Sequence, residues 1–158
     1  MLQKVICSIK RQGESMEINK VPFEEINPTI GDILDADQEE KVGYIPDESR
    51  KLGFALVKDG KVVGGITGKM NFNRCHVSVL GIEKEYRGAG YGKLLMKKIE
   101  EEAIQLGAKI MTISTQDFQA RELYEKLGYS VFGQLEDCPF DGTTKFYMSK
   151  RVDFQGRE

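Results

Sequence analysis

The stretch Ile82-Glu83-Lys84-Glu85-Tyr86-Arg87-Gly88-Ala89-Gly90-Tyr91-Gly92-Lys93 holds the key to the chain. Before it, residues 76–82 are rich in β-branched and apolar side chains and read as a buried strand. After it, Leu95, Ile99, Ala103 and Leu106 recur at i, i+4, i+8 and i+11, the spacing of one helix face, and Gly107 supplies a stop. A strand ends, a glycine cluster follows, and an amphipathic helix begins at once. Backbone N–H groups at a helix start lack intrahelical partners, and the helix dipole adds partial positive charge there. Glycines let the backbone approach a ligand without Cβ collisions, and Arg87 adds a planar cationic fork. The junction reads as an anion site for a phosphate or pyrophosphate.

Spacing decides among the phosphate motifs. A P-loop needs GxxxxGK followed by Ser or Thr, but here Gly92-Lys93 precedes Leu94 and position 87 is Arg. The dinucleotide fingerprint GxGxxG belongs at the first strand of a βαβ unit. Here the spacing is GxGxG, late in an antiparallel meander. Arg-x-x-Gly-x-Gly fits, through Arg87, Gly90 and Gly92.

Working outward, residues 54–57 read as a strand, Asp59-Gly60 as a type I′ hairpin turn, and residues 62–70 as the return strand. Residues 71–73 turn again. On the helix, Glu100, Glu101 and Glu102 read as solvated partners of Lys97 and Lys98. Residues 109–114 form a further strand, and Asp117 is placed to cap a helix running to Leu127 before Gly128. Residues 129–135 and 144–148 close the sheet as two antiparallel strands around the loop 137–142. Toward the N-terminus, residues 5–9 read as a short first strand punctuated by Gly13-Glu14-Ser15. Pro22, Pro28, Gly31, Gly43 and Pro46 break up residues 20–52, which predicts one or two short helices there. The acidic run at residues 35–40 is a solvated helix face. The order β, helices, β-β-β-α-β-α-β-β predicts a mixed α+β fold with helices packed on a sheet.

With the glycine loop, the later block Phe118-Gln119-Ala120-Arg121-Glu122-Leu123-Tyr124-Glu125-Lys126-Leu127-Gly128-Tyr129 completes a pattern. Residues 54–150, about two-thirds of the chain, resemble the GNAT superfamily of acyl-CoA-dependent N-acetyltransferases. The resemblance implies a mostly antiparallel twisted sheet of about six to seven strands, α+β or α/β mixed, with a strand pair splayed at the cofactor. It implies acetyl-CoA as acyl donor and a primary amine, of a small molecule or a peptide, as acceptor. By position, Leu80, Gly81 and Ile82 would offer main-chain groups to the pantetheine arm, while their side chains remain available to the core. Arg87, Gly88, Ala89, Gly90, Tyr91, Gly92 and Lys93 would hold the pyrophosphate. Asp117 stands where the family has an Asn that contacts pantetheine. Phe118 is open between cofactor and core, with the core favoured. Tyr124 matches the family Tyr near the thioester sulfur, where a phenol donates a proton to a leaving thiolate; the alternative is a surface tyrosine on an amphipathic helix.

An amine acceptor must lose a proton before it attacks, and His76, the chain's one histidine, is a candidate base or relay. Its alternative is a plain strand start at the sheet edge. Strict period two puts His76, Ser78, Leu80 and Ile82 on one side of the strand and Glu83 on the other. A main-chain N–H near Ile82 is the expected oxyanion donor. No Ser-His-Asp set is present, so direct transfer without an acyl-enzyme is expected, and no metal.

The remaining features bound the class. The 158 residues suit a single acetyltransferase domain, with an acceptor-side region at 1–53 and a cofactor-binding core at 54–150. A net charge of −2 offers no general attraction to nucleic acid or an anionic membrane. No apolar run approaches the ~20 residues of a membrane span, and residues 1–11 lack a signal-peptide core, which points to the cytoplasm. Cys7, Cys75 and Cys138 form no CxxC pair, so neither a disulfide framework nor a zinc site is indicated. Family habit adds a homodimer as an expectation. Two rival functions stand beside catalysis: an acyl-CoA-binding sensor, and a protein-modifying role in which residues 20–52 contact a macromolecule.

Overall fold

The structure, a computed structural model, describes residues 7–11, 14–44, 46 and 49–153. They fall into two compact units, Met1–Pro46 and Asp47–Glu158. In the first, Cys7–Arg11 (β1) pairs antiparallel with Glu14–Ile18 (β2). Glu14 and Ser15 thus belong to a second strand rather than to a break. Residues 5, 6 and 13 lie outside the described residues.

One 20-residue helix, Phe23–Val42 (α1), replaces the one or two short helices expected. Pro28 lies close to the helix start, where its missing N–H removes one bond, to the carbonyl of Glu24, and the helix continues past it. Gly31 costs about 1 kcal/mol relative to Ala, which a helix of this length absorbs. Glu24 and Glu25 in the first turn and Lys41 in the last complement the helix dipole, and Lys41 pairs with Asp37 at 2.7 Å. The acidic run at 35–40 is solvent-facing as expected.

The second unit holds Arg50–Lys58 (β3), Lys61–Asn71 (β4), Arg74–Ile82 (β5), a single 3-10 turn at Lys84–Tyr86, Tyr91–Gln105 (α2), Ile110–Gln116 (β6), Arg121–Lys126 (α3), Ser130–Glu136 (β7) and Thr144–Arg151 (β8). The six strands lie in the order β3-β4-β5-β6-β8-β7, and only β5–β6 is parallel. The mostly antiparallel sheet therefore matches the expected class. Asp59 and Gly60 take φ of 48° and 75°, both positive as a type I′ turn demands.

The core lies between the sheet and the helices. Leu95, Met96, Ile99 and Ala103 of α2 are buried with Ile66, Met70, Cys75 and Val77 of β4 and β5, and with Met111, Ile113 and Met148 of β6 and β8.

The phase of β5 differs from the expected one. On one side, β5 pairs with β6 only from Arg74↔Ile110 to Val77↔Ile113. On its other side, Thr67 pairs with Val79 but Gly68 pairs with Val77, which leaves Ser78 as an extra residue. Such a bulge moves every later side chain to the opposite face. Cys75 and Val77 face the core before it, and Leu80 and Ile82 pack against the core after it. His76 consequently shares the other face with Val79 and Gly81, not with Leu80 and Ile82 as strict alternation requires.

Gly68 lies beneath α2, where a Cβ would stand 2.8 Å from Ile99 Cδ1, 3.0 Å from the His76 carbonyl oxygen and 3.4 Å from Cys75 Sγ. Gly68→Ala is therefore predicted to overpack the seam and cost about 1–3 kcal/mol. A urea midpoint equal to that of the parent would show that the seam has slack.

Candidate active site at the strand splay

Beyond Val77 and Ile113 the two parallel strands part. The gap opens into a cleft of about 1090 Å³. One wall is residues 78–82 of β5, and the other is Ile113 and Ser114 of β6 with Phe118, Gln119 and Ala120. The glycine loop, through Arg87, Gly88, Gly90, Tyr91, Gly92 and Lys93, closes one end. Leu123, Tyr124 and Lys126 of α3 complete the lining. Leu80, Gly81 and Ile82 bond to β4 on one side, while among the described residues no strand pairs with their other edge.

The loop end has the physics of an anion site. Gly88 and Gly90 have φ of 79° and 85°, and Gly90 is the left-handed N-cap of α2. A Cβ at either would meet nothing within 4 Å, so backbone conformation, not crowding, calls for glycine there. Gly92 answers to packing: a Cβ would sit 3.2 Å from Leu123 Cδ2, so its small size seats α2 against α3. The first turn of α2 carries no acidic residue to compete for its free N–H groups. Arg87 donates from Nε to the Ile82 carbonyl oxygen at 2.8 Å. That bond pins the loop to the end of β5 and orients the guanidinium. Lys93 and Lys126 add positive charge to the lining.

Two of the residues named for the cofactor do not line the cleft. Ala89 is exposed beside it. Asp117 is committed to β8: its N–H donates to the Thr144 carbonyl oxygen and its Oδ2 accepts from the Thr144 N–H, both at 3.0 Å. It is not a helix cap either, since α3 begins at Arg121 with Ala120 before it. Gln119 instead closes the turn after β6, its Oε1 accepting from the Gln116 N–H at 3.1 Å, and α3 starts without a side-chain cap. Phe118 stands 63% exposed on the cleft wall rather than in the core. Glu83 pairs with Lys61 at 3.2 Å, away from the lining, as an exposed loop charge. Ser78, Val79 and Ser114 join the site without a local motif to announce them, and Gln119 and Lys126 join it from within the block 118–129.

Tyr124 is 6% exposed, belongs to the core cluster and also borders the cleft. Burial pushes its phenol above the usual value of 10, so it remains a proton donor at neutral pH. His76 stands at the closed end of the splay on the opposite sheet face, outside the cleft lining. Its Nδ1 lies 2.9 Å from Thr112 Oγ1. Burial first, then the charges of Arg74 and Lys145, hold its ring below 6.5, so it is neutral at pH 7. Cys75 is fully buried and desolvation raises its thiol to about 11, which makes it a poor nucleophile. Among the described residues no three His, Cys, Asp or Glu side chains are grouped to hold a metal ion, and no helix is long and apolar enough to cross a membrane.

Known proteins share this arrangement. The family described as "Acetyltransferase (GNAT) family" matches residues 16–129. A blasticidin-S acetyltransferase of Streptomyces morookaense is 30% identical over 100 residues, covering 63% of this chain and 73% of its own. The crystal structure of an acetyltransferase from Bacillus cereus superposes with a TM-score of 0.76 at 26% identity, over 87% of this chain and 98% of that one. An aminoglycoside 6'-N-acetyltransferase complexed with coenzyme A shares the fold, with a TM-score of 0.58 at 18% identity over 93% and 96% of the two chains. With its splayed sheet, its glycine loop and this match, the chain belongs to the GNAT family of acetyltransferases, enzymes that use acetyl-CoA as acyl donor.

Proposed function

We propose that the cleft binds acetyl-CoA in one orientation and that the enzyme moves the acetyl group directly onto a primary amine of a small molecule. The observation that carries this reading is the backbone edge at residues 80–82, which no strand pairs among the described residues and which lines the cleft with the glycine loop and Tyr124. An extended amide-containing chain satisfies such an edge in the manner of an added strand. The pyrophosphate fits the loop, where Gly88 and Gly90 leave open space and N–H groups, Arg87 and Lys93 supply the positive charge. The coenzyme A complex of the aminoglycoside enzyme and the small-molecule acceptor named for the blasticidin-S relative support the same reading.

Bound acetyl-CoA supplies a thioester carbonyl that a neutral amine attacks, and a thiolate that leaves. A main-chain N–H in residues 80–82 stabilises the developing oxyanion. Tyr124 gives its phenolic proton to the sulfur. His76, neutral but outside the cleft lining, serves as a relay for the proton that the acceptor amine gives up. Cys75 takes no part.

The first test is coenzyme A release across a panel of small amines, with acetyl-CoA binding followed separately by thermal shift. Binding and release are expected together; binding without release on any amine would make the protein a sensor. Tyr124→Phe is predicted to leave acetyl-CoA affinity intact and to lower kcat by about 10²-fold, the usual worth of a positioned acid. Unchanged kcat would remove Tyr124 from the chemistry.

His76 makes a signed prediction. A base works only when unprotonated, and its pKa is depressed, so kcat/KM should hold down to pH 6.5 and fall below it. His76→Gln should abolish that acid limb. An acid limb that persists in the variant would assign the proton to another group. Mass spectrometry during a single turnover should find no acetyl group on Cys75 or Cys138; finding one would replace direct transfer with a two-step route.

A further inference from the structure

Glu100, grouped by sequence with the solvated Glu101 and Glu102, is in fact largely covered between elements. Its side chain is 12% exposed and that of Lys150 27%. Glu100 Oε2 accepts from Lys150 Nζ at 2.7 Å, and Glu100 Oε1 accepts from the Tyr129 hydroxyl at 2.8 Å. The Lys150 ammonium also lies 5.7 Å from the centre of the Tyr129 ring. The three residues come from α2, β8 and the residue before β7. Tyr129 is 3% exposed. Burial and the neighbouring Glu100 carboxylate push its phenol far above the ordinary range, so its donor proton stays in place at any working pH.

Tyr129 in turn holds Tyr124. The rings meet edge-on, with centroids 6.2 Å apart and planes at 66°. The Tyr129 N–H donates to the Tyr124 carbonyl oxygen at 3.0 Å. This support matters because α3 is only six residues long and has no helical stability of its own. A small rotation of α3 would swing the Tyr124 phenol along the cleft wall. A phenylalanine at 129 would fill the same space, and buried ion pairs add little stability over apolar packing. Orientation, rather than stability, is the property that the hydroxyl and the ion pair supply.

We propose that Glu100, Lys150 and Tyr129 form a clamp that positions the Tyr124 phenol for proton donation, with Tyr129 as the positioning residue. The inference rests on the role given to Tyr124 above. It is tested with Tyr129→Phe, Tyr124→Phe and the double variant, each confirmed as folded by circular dichroism. Tyr129→Phe should lower kcat about tenfold, the scale of a modest misplacement. The KM for acetyl-CoA should stay within about twofold. The double variant should be no slower than Tyr124→Phe alone, because the two residues act as one unit. Glu100→Leu with Lys150→Met, which removes the ion pair and keeps Tyr129, should reproduce the tenfold loss. Kcat losses that multiply in the double variant, or wild-type kcat in Tyr129→Phe, would overturn the clamp while leaving Tyr124's role standing. Wild-type kcat in Tyr124→Phe would instead remove the proposed function and the clamp with it.

Discussion

The site depends on the place where β5 and β6 stop pairing. A strand edge inside a protein is costly when its N–H and C=O groups find no partner. Here the cost is confined to the residues after Val77, and it coincides with the extra residue Ser78 on the opposite edge of β5. The bulge turns Leu80 and Ile82 toward the core, so their side chains hold the strand while its outer backbone edge remains open. Without the phase change, Val79 and Gly81 would face α2 in place of Leu80 and Ile82, and Val79 would be the last apolar anchor of β5. The Arg87 bond to the Ile82 carbonyl secures the far end. Anchoring by side chains on one face and presentation of backbone at the edge are thus separate jobs of the same residues.

Charge is arranged along the cleft in the same economical way. Positive groups and unpaired N–H donors gather at the loop end, and the nearest loop carboxylate, Glu83, is occupied by Lys61. Tyr124 on the cleft lining and His76 outside it are both uncharged at neutral pH. Desolvation favours the neutral form of each, although it raises the tyrosine and lowers the histidine. The cleft therefore combines the cationic side chains Arg87, Lys93 and Lys126 with a phenol that stays neutral.

What could be read directly from the sequence was what short-range physics determines. The Asp59-Gly60 turn, the glycine loop, the α2 face and the stops at Gly107 and Gly128 each depend on a few neighbouring residues, and each stands where expected. The bulge at Ser78 could not be read this way, because it exists only relative to the register of β4, and nothing in Val77-Ser78-Val79 marks it. Asp117 misled for a related reason. A carboxylate before a helix resembles a cap, but a strand adjacent in space and 27 residues on in sequence claimed it. Glu100 looked like its neighbours because helical periodicity places it at the border of the buried face, and only Lys150 and Tyr129 decide its environment. In α1, Pro28 and Gly31 were weighed as breakers, yet their position near the start left a long run of helix-forming residues after them.

The short helix α3 shows why such long-range contacts matter more to Tyr124 than to the glycine loop. A phosphate cradle made of backbone N–H groups carries its precision in φ and ψ, and glycine at positions 88 and 90 is enough to set it. A proton donor at the end of a side chain has no such local guarantee. Its position is the sum of its helix's placement and two χ angles, and six residues of helix cannot fix that placement alone. The packing of Gly92 against Leu123 fixes α3 from one side, and the Tyr129 contact fixes it from the other. Both supports originate in α2, through Gly92 at its start and Glu100 about two turns later. The helix that follows the glycine loop is therefore also the scaffold against which α3 and Tyr124 are seated.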